Sequence, residues 1–332
     1  MTVVTGIGIY LPEKRHDAAH IARASGVPEH VVRDKMGITQ KTVPGPDDHT
    51  NAMGVRAARA ALAEARVQPM QIDALICMTE EHKEYPVWTA GIEAAHDLGA
   101  ERAWAFDVGQ KCGTAVLGLK LAADLMKADR NLNAVLLAGG YRNGDLVDYS
   151  DPNTRFLNNL AAGGGAAVIQ RDGPGFEILG SSFRTDGSFS EDVIVPVGGT
   201  RHPITPRNVH EFRLQVPDPA GMKRRLEAKS LDNFVTVIDE ACARSGITST
   251  QAKYVALLHM KRSAHDEVLR RIGVPGDRSI YLSDYGHIGQ VDVLLSLKLA
   301  REEGRFADGD VCVLAAAGIG YVWNAICVRY RA

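Results

Sequence analysis

Two stretches far apart in the chain close on nearly the same residues: GLKLA at Gly118–Ala122 and SLKLA at Ser296–Ala300. Other pairs keep the same order. DALICM (Asp73–Met78) matches VALLHM (Val255–Met260), and VLLAGG (Val135–Gly140) matches VLAAAGIG (Val313–Gly320). A repeat with a period of about half the chain argues for a duplicated domain and against a solenoid. Within each half, strand-like and helix-like runs alternate, which predicts an α/β protein with mixed or parallel sheets. The run from Gly113 and the one closing at Ala300 are apolar on nearly every side. Helices of that kind are buried, here between two sheets.

The expected elements follow from these patterns. Ala52–Ala65 reads as a helix, Ile72–Met78 as a buried strand and Trp104–Val108 as a short buried strand. Asn133–Tyr141 is another strand, followed by a polar loop to Asn159; Ala162–Ile169 is a Gly-rich turn into a strand. Asn233–Gly246 reads as an amphipathic helix ended by its glycine. Ala252–Met260 is a strand, Ser279–Ala300 a strand, loop and buried helix, and Asp310–Tyr330 two strands about a glycine turn. The expected boundary between the halves, 1–172 and 173–332, lies near Arg171–Gly175.

Composition narrows the function classes. A formal net charge of −2 over 332 residues gives no general electrostatic case for nucleic acid or an anionic membrane. The start, MTVVTGIGIYLPEK, has no basic region ahead of an apolar run, so no signal peptide is expected. The apolar stretch Val311–Tyr321 is too short to span a bilayer. The cysteines, Cys77, Cys112, Cys242, Cys312 and Cys327, are odd in number and widely spaced without CxxC. That argues against a disulfide framework or a zinc knuckle and for a reducing cytoplasm. No His/Asp/Glu spacing marks a metal site. AAGGGAA (Ala161–Ala167) lacks the GK[ST] ending of a phosphate loop and enters a strand.

Cys112 falls where the strand Trp104–Val108 hands over to the buried helix. A thiol at a helix N-terminus feels unpaired N–H groups and the positive end of the macrodipole, which favour the nucleophilic thiolate. The bland alternative is a space-filling core thiol, the reading given to the other four cysteines. His259 follows the strand YVALL, His287 lies in DYGHIG, and Gly318 and Gly320 sit in AAAGIG. All occupy strand ends or the turns after them, where α/β folds assemble sites. A thiolate, two imidazoles and backbone N–H groups suit acyl-thioester chemistry.

At this point the chain resembles the thiolase superfamily, closest to β-ketoacyl-acyl-carrier-protein synthase III and its relatives. TGIGIYLPEK is similar to the family's opening strand, DKMGITQK to its R-T-G-I segment and FDVGQKCGTAVLGL to its nucleophile turn. DPNTRFLNNLAAGGGAAVI resembles its F-G-D-G-A-G-A-A-V stretch, and AAAGIGYVWNAICVRY its closing G-G-G turn and last strand. The resemblance implies a thiolase fold, with duplicated halves in a five-layered αβαβα sandwich. It implies an acyltransferase of the 3-oxoacyl-thioester synthase type, working without cofactor or metal on CoA or carrier-protein thioesters. Cys112 becomes the acylated nucleophile, His259 and His287 the imidazoles, and the backbone N–H groups of Cys112 and Ile319 the oxyanion hole. Arg155, Arg262, Gly318 and Gly320 fall at substrate-binding positions. A homodimer is expected, with acyl-CoA or acyl carrier protein as partner.

Departures from the pattern matter. His287 stands where synthase III enzymes usually carry asparagine, and Arg262 where the family has asparagine near the pantetheine arm. No tryptophan near Val31 is placed to stack on a CoA adenine. Glu80, in MTEEHKEYP, falls close to where hydroxymethylglutaryl-CoA synthases place a general base, and Glu84 near a loop that a head-to-head condensing relative uses across its dimer. A solvated surface loop is the competing reading of EEHKE. Thr200–Arg225, rich in proline and charge, is expected to cap the acyl pocket.

The expected reaction loads an acyl group on Cys112 and condenses it with a malonyl-type thioester. Three rivals stand beside it. One is acyl transfer to a hydroxyl or amine of a small molecule, one a non-decarboxylating condensation using Glu80 as base, and one a non-catalytic partner subunit.

Overall fold

The computed structural model describes residues 1–332. Its centre is one nine-stranded sheet, built in two parts by the two halves of the sequence. The first part comprises β1 (Val3–Tyr10), β4 (Ala74–Met78), β5 (Trp104–Val108), β6 (Ala134–Tyr141) and β7 (Gly163–Gln170), in the order β5-β4-β6-β7-β1. The second comprises β8 (Gly175–Thr185), β9 (Tyr254–Leu257), β10 (Val311–Gly318) and β11 (Val322–Arg331), in the order β8-β11-β10-β9. β4 runs parallel to β5 and β6, and β9 parallel to β10, while the β6–β7 and β10–β11 pairs are antiparallel. The parts join through a short antiparallel contact of Val3 and Val4 with Glu177 and Phe176.

The helices make the layers. α3 (Thr50–Ala65) and α4 (Ala90–Leu98) cover the outer face of the first part. α6 (Pro219–Arg244) and α7 (Arg262–Arg271) lie on the second part's side. Between them run α5 (Thr114–Ala128), touching β4, β6, β8, β10 and β11, and α8 (Asp292–Glu302), touching β1, β7, β9 and β10. Contact with both parts explains why these two helices are apolar all round. The outcome is the αβαβα sandwich that the resemblance implies. A small ribbon, β2 (Arg15–Asp17) with β3 (Gln40–Thr42), and the short helices α1 (Ala18–Ser25) and α2 (Glu29–Asp34) form a lobe at one side.

The glycine stretch has a packing explanation. Built Cβ atoms on Gly8 of β1, Gly164 of β7 and Gly140 of β6 would lie 1.9, 2.1 and 1.8 Å from α3 carbonyl oxygens. Bare backbone on three strands makes a trough in which the Ala-rich α3 sits. Gly163–Gly165 belong to β7 itself, not to a turn before it.

Three more expectations are corrected. The strand at Trp104–Val108 is an edge strand rather than a buried one, with Trp104 49% exposed. The helix expected from Asn233 begins at Pro219, so Pro219–Arg225 is not cap loop. The Asp218 side chain accepts the Gly221 N–H and Pro219 occupies the first turn, a start signal at Asp-Pro. Ser279–Leu282 forms no ladder. The Ser279 hydroxyl donates to Val255 O, and the Ile280 N–H donates to the Tyr254 hydroxyl. No helix is long and apolar enough to cross a membrane.

Candidate active site

Cys112 lies in a 3-10 turn, Lys111–Gly113, between β5 and α5. The backbone before it is forced: Lys111 has φ 52, a left-handed value that costs a non-glycine residue about 1–3 kcal/mol. The Thr114 hydroxyl holds the turn, accepting the Gln110 N–H at 2.8 Å and donating to Lys111 O at 2.6 Å. Asn324 on β11 donates to Gly113 O at 2.9 Å and to Gln110 Oε1 at 2.8 Å. Gly318, at the end of β10, packs so closely that a Cβ there would stand 3.1 Å from Cys112 N. The turn of one half is thereby clamped by the last two strands of the other.

His287 faces Cys112, with Nε2 3.1 Å from Sγ. Its other ring nitrogen lies 2.6 Å from Asp292 Oδ2. A carboxylate only accepts, so Nδ1 carries the proton and Nε2 is left to take one from the thiol. Burial opposes the imidazolium charge, but Cys112 and Asp292 outweigh it and hold the His287 pKa well above the ordinary imidazole range. Asp292 is fully buried at the start of α8, and it also accepts the Ile288 N–H at 2.7 Å and the His259 N–H at 2.7 Å. The backbone of His287 is fixed as well, its N–H donating to Asn159 O and its carbonyl accepting from the Ala161 N–H. Cys112, His287 and Asp292 therefore line up thiol, imidazole and carboxylate, an order that can activate a nucleophile.

His259 is placed differently. Its Nε2 donates to Gly37 O at 3.1 Å, and Nδ1 accepts from Asn159 Nδ2 at 3.0 Å. Burial lowers its pKa to about 4, so the ring is neutral. It lines the same cavity as Cys112 and His287, but both nitrogens are engaged by the protein.

Asn143, on the wall of the cavity that Cys112 lines, holds a buried carboxylate. Glu80, just past β4, is 1% exposed. Its Oε2 accepts from Asn143 Nδ2 at 3.1 Å, and Oε1 has no partner. Burial raises its pKa to about 7. The surface-loop reading of EEHKE thus fails for Glu80, although Glu81 is exposed. Glu84 accepts the Asn51 and Ala52 N–H groups at the start of α3, which gives it a capping role.

Cys112, His259, His287 and Ile319 open onto one cavity of about 390 Å³. Its walls are mainly apolar, including Phe156, Val193, Leu214, Leu226 and Phe234, with Lys35 and Lys261 among the few polar groups. Of the expected cap Thr200–Arg225, Leu214 lines the cavity, and Val193 joins it from just ahead of that segment. Gly318 lies against the nucleophile turn, and Gly320 lines a second recess beside Lys111. Two expected substrate contacts do not line the cavity. Arg155 is exposed, and Arg262 is held outside by Asp266 at 2.9 Å and by the Tyr281 ring. A lone long cation at each position is drawn to water or a surface carboxylate. Asp292, Asn159, Asn143 and Tyr141 were missed. Asp292 carried a readable signal: one carboxylate opening a helix otherwise apolar on every side.

A duplicated αβαβα body with a cysteine and histidine meeting where the two halves touch defines an acyl-thioester enzyme of the thiolase type. Comparison with known proteins narrows the class. The family model "3-Oxoacyl-[acyl-carrier-protein (ACP)] synthase III" matches residues 106–187, and its C-terminal companion matches 242–330. A β-ketoacyl-[acyl-carrier-protein] synthase III from Symbiobacterium thermophilum is 28% identical over 98% of this chain and 97% of its own. A 3-oxopimeloyl-[acyl-carrier-protein] synthase from Rhodothermus marinus is 29% identical over 98% and 93%. The crystal structure of the synthase III from Pseudomonas aeruginosa superposes with a TM-score of 0.86 at 21% identity, covering 100% of this chain and 98% of that one. The chain belongs to the 3-oxoacyl-[acyl-carrier-protein] synthase III family and is an acyltransferase-type condensing enzyme.

Proposed function

We propose that Cys112 takes an acyl group from a CoA or carrier-protein thioester and that the acyl-enzyme then reacts with a malonyl-type thioester. The observation that carries this reading is the Cys112–His287 contact of 3.1 Å at the floor of an apolar cavity. His287 accepts the thiol proton, and the thiolate attacks the thioester carbon. Backbone N–H groups of Cys112 and Ile319 receive the oxyanion. The thioester substrates supply the reactive group, and no cofactor or metal takes part. The donor is carried by acyl carrier protein or CoA, and the reaction belongs to the cytoplasm. The functional protein is a homodimer of two-part subunits, 1–172 and 173–332. Its second copy pairs along β5, an edge strand that exposes Trp104. The test is intact-protein mass after incubation with a panel of acyl-CoAs. A stable adduct, absent in Cys112→Ala, is expected; no adduct with CoA or carrier-protein donors would sink the reading.

A second reading has its own observation. Stabilising a thioester enolate with two imidazoles requires both to aim an N–H at its oxygen, and the His259 N–H is donated to Gly37 O. His287, oriented by Asp292, is complete as a base for a heteroatom nucleophile. The same acyl-enzyme then passes its acyl group to a hydroxyl or amine of a small molecule. Malonyl-thioester consumption with CO2 release separates the two: condensation requires it, and transfer proceeds without it.

A further inference from the structure

Three buried acceptors are left over near the nucleophile. Glu80 Oε1, Asn143 Oδ1 and Gln290 Oε1 are buried side-chain oxygens without a hydrogen-bond partner. They cluster at the ends of neighbouring strands. Glu80 follows β4, Asn143 follows β6, and the Gln290 amide donates to Gly140 O of β6 at 2.9 Å. Asn143 lines the cavity beside Cys112, Tyr141 and His287, and Glu80 stands directly behind it. An unmet buried acceptor has lost its water without gaining a partner, so the set calls for a donor-rich occupant. A hydroxyl brings lone pairs of its own, whereas an ammonium brings three donors and no acceptor. Its charge also compensates a buried carboxylate whose Oε1 no side chain of the protein contacts. Lys111, the cation nearest in effect, is already paired with Glu81.

We propose that the Glu80–Asn143 pair is the subsite for a primary ammonium group on the acyl acceptor, giving this enzyme an amide-forming activity. The inference rests on the acyl-transfer reading above. An amine must lose one proton before it attacks and another afterwards, and the site holds two groups to receive them. The Glu80 carboxylate takes the first proton from R–NH3+. The free amine forms a C–N bond to the thioester carbon of acyl-Cys112. His287 Nε2 takes the second proton from nitrogen. The C–S bond breaks, Cys112 leaves as thiolate paired with the His287 imidazolium, and the amide departs. Glu80 returns its proton to solvent.

The test starts from full-length protein acylated on Cys112 by an acyl-CoA that loads it. The acyl-enzyme is chased with butylamine, benzylamine, the matching alcohols 1-butanol and benzyl alcohol, or malonyl-CoA. Loss of the adduct is followed by intact mass and the product by chromatography. Amines are expected to unload it as amides. Glu80→Gln is expected to slow that step about 100-fold, and Asn143→Ala to raise the amine concentration for half-maximal rate about tenfold. Acyl loading, measured on each variant, reports that it is folded. Unloading by alcohols but not amines, or amine unloading untouched by Glu80→Gln, overturns the subsite and leaves acyl transfer standing. Unloading by malonyl-CoA alone overturns both, as does a protein that no acyl donor loads.

Discussion

His259 and His287 stand in corresponding places, each just past a strand or turn of the second half and each on the same cavity. Their environments drive them apart. Burial lowers both, but at His287 the thiol and the Asp292 carboxylate more than reverse it. At His259 burial wins, and the ring ends as a neutral strut between Gly37 and Asn159. One carboxylate makes the difference, and it serves both histidines unequally. Asp292 Oδ2 accepts the imidazole N–H of His287 but only the backbone N–H of His259. Two imidazoles at one cavity are therefore not two bases.

That contrast is open to direct attack. His287→Ala removes the base and is expected to slow acyl loading of Cys112 by about 10³–10⁴-fold, read as the rate of adduct formation by mass. Asp292→Asn keeps the shape but puts an NH2 group where a carboxylate oxygen now accepts, so the N–H groups of His287, His259 and Ile288 are no longer all met; a loss of about 10²–10³-fold is expected in the same assay. His259→Gln is expected to change loading less than about tenfold.

A smaller effect lies in stability. The folded pKa of His259, about 4, is below the ordinary 6.5, so its contribution is present above pH 6.5 and is lost as pH falls toward 4. His259→Gln is expected to flatten that part of the stability–pH curve in denaturant titrations. Glu80 has the opposite sign. Its folded pKa of about 7 exceeds 4.5, so the native state is favoured most below pH 4.5 and loses that advantage as pH rises through 7. Glu80→Gln is expected to be more stable than the parent at pH 8, by up to about 3 kcal/mol from about 1.4 kcal/mol per pKa unit, and to show little difference at pH 4.5. An unchanged gap across that range would mean Glu80 is solvated.

Much of this was legible in the residues. The repeated GLKLA and SLKLA marked the two buried helices, and Cys112 stood out once its strand–turn–helix setting was taken with His259, His287 and the glycines at strand ends. Asp292 was harder, because a lone acid in VDVLLSLKLA shows its partner only once His287 is folded back over it by the turn at Ile288–Val291. The state of His259 was not legible at all. It depends on Gly37 and Asn159, both distant in sequence, and on which ring nitrogen each one occupies. Arg155 and Arg262 failed as pocket residues for the reverse reason: a family position fixes where the backbone lies, not where a long charged side chain finds water.

The central claim is that acylation runs through Cys112, His287 and Asp292, with His259 in support. The most direct test measures the rate of acyl-CoA adduct formation on Cys112 in Asp292→Asn and His259→Gln side by side. The account predicts a loss of at least about 100-fold in the first and less than about tenfold in the second. The reverse order, with His259→Gln the slower enzyme, would contradict it.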